Sequence, residues 1–288
     1  MLLAGKQGRE HDRVIRRVGG NLGLRSSNDA PDESRQLERD GFAVIRSALS
    51  ADEITAITAE IEASFRERPP ERNRTDRDEF RYAMLNHGAS SQAAIGHPRI
   101  LEVIEPLLGE DCHVIANTAW NNPASFAGGP WHCDAGPHIP RPRDVPWDDR
   151  IPYPIFAIGA HLMLRDCDVR DGPTEVIPGS HRSGRLPDYD RVDSPDFGYD
   201  GRGPLAVTAS AGDVILFASD LWHRGRPAEN GRGRLFLQCH YGRRDIAQRI
   251  STTDQVHHLS ADAVARARAA GPRAETLAGL HGAYFYDG

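Results

Sequence analysis

Apolar residues early in the chain recur at helical spacing, and the first such stretch predicts a helix from about Ser50 to Phe65. Its apolar positions lie three or four residues apart, as on one side of a helix: Ile54, Ile57, Ile61 and Phe65. Ser50 and Glu53 have the spacing of a capping box, which marks a helix start. Pro69 and Pro70 then end the helix, because the residue before a proline avoids the helical conformation.

Three further elements flank the β-rich part of the chain. A short strand is predicted over residues 42–45, and a second amphipathic helix over residues 98–108, with Pro106 in its last turn. A tail helix is predicted over residues 260–270, with Ser260 at its start.

From residue 112 onward, short runs of β-forming residues are separated by Gly, Pro, Asn and Asp. The predicted strands are residues 113–120, 130–134, 155–164, 174–177, 205–209, 214–218 and 234–241. Many short strands in one continuous block are typical of a sandwich or barrel of the jelly-roll type. The predicted fold is therefore mainly β, with flanking helices packed on the outside of one sheet.

The composition limits the partners of the protein. A formal net charge of -6 argues against a general nucleic-acid binder, which needs a basic surface. No apolar run approaches the about 20 residues of a membrane-spanning helix. The four cysteines are scattered without a C-x-x-C pair, as expected for free thiols in a reducing compartment. We expect a cytoplasmic protein with a small-molecule substrate and without nucleic-acid or membrane partners; its oligomeric state is left open.

Two histidines and an aspartate form the most informative chemical pattern. His132 and Asp134 are two residues apart on a predicted strand, so their side chains point to the same face. His223 follows another predicted strand and can reach across the mouth of a sheet. Two imidazoles and one carboxylate can occupy one face of an octahedral Fe(II) and leave three positions open. Arg234, eleven residues after His223, offers a permanently charged fork for a carboxylate.

Alternation along the last predicted strand indicates an internal cavity. It places four side chains on one face: Arg234, Phe236, Gln238 and His240. Three of them are polar, and such a face does not pack into a dry core without partners. A cavity that holds an anionic ligand satisfies this requirement; a solvent-facing polar side is the alternative.

The chain divides into an arm and one domain. Residues 1–33 lack apolar periodicity and are predicted to be a flexible N-terminal arm. Residues 34–288 form a single domain whose β core covers about 112–241. Residues 135–154 contain six prolines and begin directly after Asp134. A loop of about twenty residues in a compact domain is usually functional or disordered, so we expect a lid over the metal site. The alternative is a surface excursion without a catalytic role.

Several stretches together resemble the phytanoyl-CoA dioxygenase family of Fe(II)- and 2-oxoglutarate-dependent oxygenases. They are Trp131–Asp134, Gly172–His181, Gly212–Val214, Trp222–His223 and Arg234. The resemblance implies a double-stranded β-helix core that uses Fe(II), 2-oxoglutarate and O2. It implies that His132, Asp134 and His223 bind the iron. It also implies that Arg234 binds the distal carboxylate of 2-oxoglutarate, with Asn117 as a further cosubstrate contact.

Two comparisons with the family refine this assignment. Position 225 is glycine, where some relatives have a serine that helps to bind 2-oxoglutarate. Related halogenases carry a small residue in place of Asp134, so the aspartate favours hydroxylation over halogenation. His181 belongs to a family signature but is interpreted as part of a turn, not as a metal ligand.

The predicted reaction is hydroxylation of an unactivated C–H bond of a small molecule, with succinate and CO2 as co-products. The family mostly acts on specialised metabolites or amino-acid derivatives. Desaturation, epimerisation or cyclisation with the same cofactors is the alternative. A zinc hydrolase or a non-catalytic metal-binding barrel stays open, although neither needs Arg234 at its spacing. Candidate substrate contacts are Trp147, Tyr153, Arg141, His161 and Gln238.

Overall fold

Two antiparallel sheets form the centre of the molecule in the computed structural model. The structure describes residues 30–69, 79–134, 136–148, 150–151, 153–229, 231–246, 248 and 259–281. The predicted N-terminal arm therefore lies outside the described residues, apart from residues 30–33.

The larger sheet has six strands and the smaller sheet has three. The larger sheet contains β1 (Phe42–Ile45), β2 (Glu79–Tyr82), β3 (His113–Asn122), β4 (Ala157–Met163), β7 (Val214–Ala218) and β9 (Arg234–Gly242). The smaller sheet contains β5 (Thr174–Val176), β6 (Leu205–Val207) and β8 (His223–Gly225). The strand orders are β1-β7-β4-β9-β3-β2 and β6-β5-β8. In the larger sheet β9 is a central strand, because it pairs with β3 on one side and β4 on the other.

In the described part of the chain, the α-helices lie before β3 and after β9. They are α1 (Asp32–Asp40), α2 (Ala51–Glu67), α3 (Met84–His87), α4 (Ala89–Ala94), α5 (Pro98–Leu108), α6 (Ala261–Ala270) and α7 (Pro272–Leu277). The predicted capping box starts α2: Ser50 Oγ accepts a hydrogen bond from the Glu53 backbone N–H at 3.3 Å, and Glu53 Oε2 accepts one from the Ser50 backbone N–H at 2.8 Å. Pro106 is accommodated inside α5, whose apolar side is buried. Among the described residues, no helix is long and apolar enough to cross a lipid bilayer.

The two faces of the larger sheet pack against different layers. Leu216 and Leu237 belong to a core shared with helical residues such as Ile57 and Ile61. Phe217, one residue from Leu216, packs instead with residues of the smaller sheet. Side chains alternate across a strand, so consecutive residues serve different layers. This helix-flanked pair of sheets confirms the mainly β fold class.

The strands differ from the prediction at residues 130–134, at β2 and at β8. Residues 130–134 form no strand; they contribute one isolated bridge, between His132 and His223. Pro130 lacks the backbone N–H that a continuing ladder needs, and His132 therefore pairs alone. The short strands β2 and β8 were not predicted as strands. Three- and four-residue strands carry too little alternation to be recognised.

Packing between the sheet and the helices is expected to dominate stability. Leu237 is fully buried in β9, whereas Leu205 in β6 is 45 % exposed. We expect Leu237→Ala to lower the free energy of unfolding by roughly 2–5 kcal/mol, because it opens a cavity in the core. Leu205→Ala is the control and should change the free energy of unfolding by less than about 1 kcal/mol. Urea unfolding followed by circular dichroism measures both, and equal losses for the two variants would contradict this view of the core.

Candidate active site

A pair of backbone hydrogen bonds places two imidazoles side by side between the sheets. The His132 N–H donates to the His223 carbonyl at 2.9 Å, and the His223 N–H donates to the His132 carbonyl at 3.0 Å. Residues directly opposite in an antiparallel pair project their side chains to the same side. The two ring centroids are accordingly 4.3 Å apart.

Each of these imidazoles is oriented by a carbonyl of its own segment. His132 Nδ1 lies 2.9 Å from the Pro130 carbonyl oxygen, and His223 Nδ1 lies 2.9 Å from that of Leu221. A carbonyl oxygen only accepts hydrogen bonds, so Nδ1 carries the hydrogen in both rings. Both Nε2 atoms are therefore left with a lone pair, which is what a metal ion requires of a histidine.

Asp134 completes this group. Its Oδ1 lies 3.6 Å from His132 Nε2 and 3.5 Å from His223 Nε2. The candidate ligand atoms of the three residues all lie within 4.8 Å of one another. Asp134 Oδ2 is held separately by His240 Nε2 at 2.8 Å. Two imidazole nitrogens and one carboxylate oxygen converge as the donor set of a non-haem Fe(II) site would.

The electrostatic surroundings keep Asp134 ionised. Burial alone would raise the pKa of its carboxyl group, but the neighbouring histidines, His223 and His240 above all, lower that pKa well below its usual range. The carboxylate is thus available as an anionic metal ligand.

A buried arginine lies in the same cavity. Arg234 is 5 % exposed, and its guanidinium carbon lies 5.4 Å from the centroid of the Phe126 ring and 5.1 Å from that of Phe236. Its Nη1 donates to Thr174 Oγ1 at 3.1 Å. The cavity has a volume of about 630 Å³ and is lined by both the arginine and the His132, Asp134 and His223 group. One cavity therefore holds a candidate metal site and a cation suited to an anionic ligand.

The sequence relatives agree with this arrangement. Residues 37–236 match the family model of phytanoyl-CoA dioxygenase (PhyH). The chain belongs to the phytanoyl-CoA dioxygenase family. It is 28 % identical over 233 residues to the ectoine dioxygenase of Sphingopyxis alaskensis. The aligned stretch covers 68 % of this chain and 71 % of that protein.

Solved structures show the same fold. EctD from S. alaskensis, with 2-oxoglutarate and 5-hydroxyectoine, superposes with a TM-score of 0.61 at 22 % identity, covering 78 % of this chain and 81 % of that one. The epimerase SnoN, in complex with Fe3+, alpha ketoglutarate and nogalamycin RO, superposes with a TM-score of 0.60 at 21 % identity. The superposition covers 80 % of this chain and 91 % of that one. Together with the family membership, these relatives confirm the jelly-roll core. They also confirm the predicted enzyme class, a dioxygenase that uses non-haem iron, 2-oxoglutarate and O2.

In this dioxygenase, Asn117 does not take the position that the resemblance implied. It is fully buried and donates through Nδ2 to the Gln238 carbonyl at 3.0 Å, whereas its neighbours Ala116 and Thr118 line the cavity. The reason is a register shift in β3 between Val114 and Ala116. One extra residue in a strand moves every later side chain to the other face.

His161 and Gln238 line the cavity, as expected, but at its arginine end. His161 Nδ1 lies 3.2 Å from Thr174 Oγ1, the atom that Arg234 also contacts. The role of these two residues as substrate contacts stays a prediction. Thr174 itself belongs to the family-like stretch Gly172–His181, and only its cross-strand partners identify it as a site residue.

Three loop residues proposed as substrate contacts stabilise the loop instead. Tyr153 donates to Asp220 Oδ2 at 2.6 Å, Trp147 packs edge-on against Tyr153, and the guanidinium of Arg141 stacks on Trp147. Among the described residues, none of the three lines the cavity. Their aromatic and polar groups are used to hold the loop in shape, so that part of the prediction is wrong.

His138 was not among the predicted site residues, although it lies in the same loop and lines the cavity. Its Nδ1 is hydrogen-bonded to Asp220 Oδ1, and its backbone N–H donates to Asp220 Oδ2 at 3.1 Å. No sequence signal distinguished this histidine, because the partner Asp220 lies far away along the chain. His181 is buried elsewhere, against the Glu38 carbonyl, as its interpretation as a turn residue requires.

Loss of an imidazole from the converging group should abolish tight metal binding. We expect His132→Ala and His223→Ala to weaken Fe(II) binding by more than the roughly 10–100-fold that loss of an outer hydrogen bond costs. His97→Gln, at the start of α5, is the matched control and should bind Fe(II) as the wild type does. Anaerobic calorimetric titration measures the affinities, and circular dichroism checks the fold. Wild-type affinity in His132→Ala would exclude this group as the metal site.

Proposed function

We propose that His132, Asp134 and His223 bind Fe(II), and that Arg234 binds the distal carboxylate of 2-oxoglutarate in the same cavity. The observation that carries this proposal is the shared space: a facial donor set and a buried guanidinium line one cavity of about 630 Å³. The residues fit an iron ion, because two lone pairs and an ionised carboxylate converge there.

We further propose that the enzyme hydroxylates an unactivated C–H bond of a small molecule. When bound there, Fe(II) would supply the chemistry by which O2 oxidises both 2-oxoglutarate, which yields succinate and CO2, and a substrate. The protein binds the cosubstrate through Arg234 and orients the imidazoles through backbone carbonyls. Relatives named for ectoine and neighbours solved with nogalamycin RO or hygromycin B support a small-molecule substrate. A cytoplasmic location and the lack of a nucleic-acid partner stay predictions.

Epimerisation or cyclisation is the second candidate reaction. An epimerase and a carbocyclase of nogalamycin biosynthesis share this fold, at TM-scores of 0.60 and 0.56. Both candidates use the same cofactors and differ in the fate of the substrate. A zinc hydrolase needs neither 2-oxoglutarate nor a buried arginine in its cavity, so the position of Arg234 disfavours it.

We also propose that the loop after Asp134 is a lid over the cavity. His138 near its start and Tyr153 near its end bind the two carboxylate oxygens of the same buried residue, Asp220. Burial and the adjacent Asp220 carboxylate raise the pKa of the Tyr153 hydroxyl, which therefore stays a hydrogen-bond donor. Asp220 thereby connects both ends of the loop to the segment that leads into His223.

Removal of the guanidinium should weaken cosubstrate binding without loss of the metal. With Fe(II) and no oxygen, the wild type is expected to show a visible metal-to-ligand charge-transfer band when 2-oxoglutarate is added. We expect Arg234→Ala to weaken the binding of 2-oxoglutarate by about 10–100-fold, since hydrogen bonds to charged groups contribute about 1.5–3 kcal/mol. Arg226→Ala, a surface arginine that pairs with Glu229, is the control. If no band forms and Arg234→Ala binds 2-oxoglutarate like the wild type, the oxygenase assignment is wrong.

The lid proposal predicts faster cleavage of the loop when Asp220 is changed. Asp220→Asn keeps the size of the side chain but loses the charge that binds Tyr153 and His138. We expect trypsin to cut after Arg143 at least roughly tenfold faster, because a hydrogen bond to a charged group contributes about 1.5–3 kcal/mol. Asp196→Asn, an exposed partner of Arg191, is the control. Unchanged cleavage in a folded Asp220→Asn variant would show that Asp220 does not hold the loop.

A further inference from the structure

We propose that the substrate is an uncharged molecule with a flat aromatic ring system, which binds against a row of aromatic side chains in the active-site cavity. This ring row consists of Tyr82 and Phe80 on β2, Trp120 on β3 and Phe236 on β9, all of which line the cavity. The inference rests on the proposed function, and it names the class of molecule that the cavity takes beside 2-oxoglutarate.

Alternation along β2 turns two rings towards the cavity. Phe80 and Tyr82 are two residues apart, so their side chains share one face of the sheet. Arg81 lies between them and points to the opposite face, where its guanidinium carbon is 4.9 Å from the centroid of the Phe65 ring in α2. The helices therefore cover one face of β2, and the cavity lies on the other.

Cross-strand pairing continues the row over β3 and β9. Phe80 is the direct partner of Trp120, and Trp120 is the direct partner of Phe236. The ring centroids are 5.0 Å apart from Tyr82 to Phe80, 5.0 Å from Phe80 to Trp120 and 6.2 Å from Trp120 to Phe236. The Trp120 indole is held in place by a hydrogen bond from its Nε1 to Gln238 Oε1 at 2.7 Å. Tyr82 and Trp120 are only partly buried, so the row offers aromatic surface to a ligand.

The ring row and the arginine lie on different sides of β9. Arg234 Nη1 donates to Thr174 Oγ1, which also contacts His161 on β4. The strands β3 and β2 follow β9 on the side away from β4. A cavity of about 630 Å³ has the size of sites that hold drug-sized ligands, so a five-carbon diacid leaves room for a second molecule. The ring row borders the part of the cavity next to β3.

The strand register relates the ring row to the metal site. Tyr82 pairs with Thr118, which pairs with Gln238. His240, whose imidazole holds Asp134, is two residues further along β9. Tyr82 is therefore about 7 Å from the level of His240 along the strands and about 10 Å across the sheet. Fused aromatic rings span such a distance while remaining flat, with one carbon at the metal site and a ring face on the ring row.

The charged side chains of the cavity are already engaged. Apart from histidines, three charged residues line it within the described part of the chain: Asp134, Arg224 and Arg234. Asp134 belongs to the metal site and Arg234 to the distal carboxylate of 2-oxoglutarate. Arg224 turns away, because its Nε donates to Glu175 Oε2 at 2.7 Å and its guanidinium carbon lies 4.8 Å from the Trp131 ring centroid. A charged substrate would bury its charge without a partner, which is costly.

The cavity histidines have partners as well. Each forms a hydrogen bond to a carbonyl, a carboxylate or a hydroxyl group of the protein: His132, His138, His161, His223 and His240. The side chains that remain for substrate contact are therefore mainly apolar and aromatic, which favours an uncharged ring system over a zwitterion such as ectoine.

Matched probes test the ring system and the charge separately. The probes 2-naphthol and decahydro-2-naphthol share a carbon skeleton and a hydroxyl group, but only the first is flat and aromatic. The probe 2-naphthoate adds a negative charge, and ectoine is a zwitterion. Dissociation constants are measured by calorimetry without oxygen, with Fe(II) and saturating 2-oxoglutarate. We expect the wild type to bind 2-naphthol at least about tenfold more tightly than each of the other three, because of ring stacking and the cost of an unpaired charge.

Variants of Tyr82 test whether the ring row causes this preference. Tyr82→Leu removes a ring and keeps an apolar side chain, whereas Tyr82→Phe keeps the ring. We expect Tyr82→Leu to weaken the binding of 2-naphthol by about threefold to tenfold and to leave decahydro-2-naphthol unchanged, because one aromatic contact is lost. Tyr82→Phe should resemble the wild type. Tyr189→Leu is the control, since Tyr189 is 54 % exposed and lies outside the cavity.

The outcomes separate this inference from the proposed function. A wild type that gives no charge-transfer band with Fe(II) and 2-oxoglutarate would overturn the proposed function and this inference with it. If the band forms, equal binding of 2-naphthol and decahydro-2-naphthol, or no binding of 2-naphthol, would overturn the inference alone. Tighter binding of ectoine or 2-naphthoate than of 2-naphthol would do the same. Equal weakening of both bicyclic alcohols by Tyr82→Leu would show that the ring row does not recognise aromatic rings.

Discussion

The active site depends on the isolated pair of backbone hydrogen bonds between His132 and His223. This pair joins two segments that are far apart in the sequence and sets both imidazoles on one side. Asp134 is held by a separate backbone contact, since its N–H donates to the Ser219 carbonyl at 3.0 Å. Each imidazole donates to the carbonyl two residues before it. The ring orientations therefore follow from local backbone geometry and need no metal to establish them.

The strand β9 connects the two charged parts of the cavity. Arg234 lies at its start and His240 near its end, where the imidazole holds the second oxygen of Asp134. At about 3.3 Å per residue, these positions are roughly 20 Å apart along the strand. Since β9 pairs on both sides, its register is fixed by β3 and β4. The separation between Arg234 and the imidazole that holds Asp134 is thereby determined by a strand that is paired on both sides.

Local sequence patterns were sufficient to predict the features that depend on the spacing of nearby residues. The alternation of β9, the capping box of α2 and the pairing of His132 with Asp134 all concern residues within a few positions of each other. Asn117 does not reach the cavity as expected, because one extra residue near Ile115 reverses the faces of β3. No local sequence pattern indicates such a bulge. Thr174 and His138 were not predicted as site residues for a different reason. Their positions in the cavity depend on cross-strand or distant partners, which the linear sequence does not reveal.

The two parts of the cavity are built from different kinds of structure, and this bears on the range of reactions in the family. The end that contains Arg234 consists of paired strands, in which Gly225 leaves room for the guanidinium and Thr174 accepts a hydrogen bond from it. At the other end, the loop after Asp134 contributes His138 to the cavity wall and is held by Asp220. Loops accept changes in sequence more readily than paired strands do. The loop can therefore change in sequence while the paired strands keep the Arg234 end of the cavity unchanged, as expected of a fold shared by an epimerase and a carbocyclase.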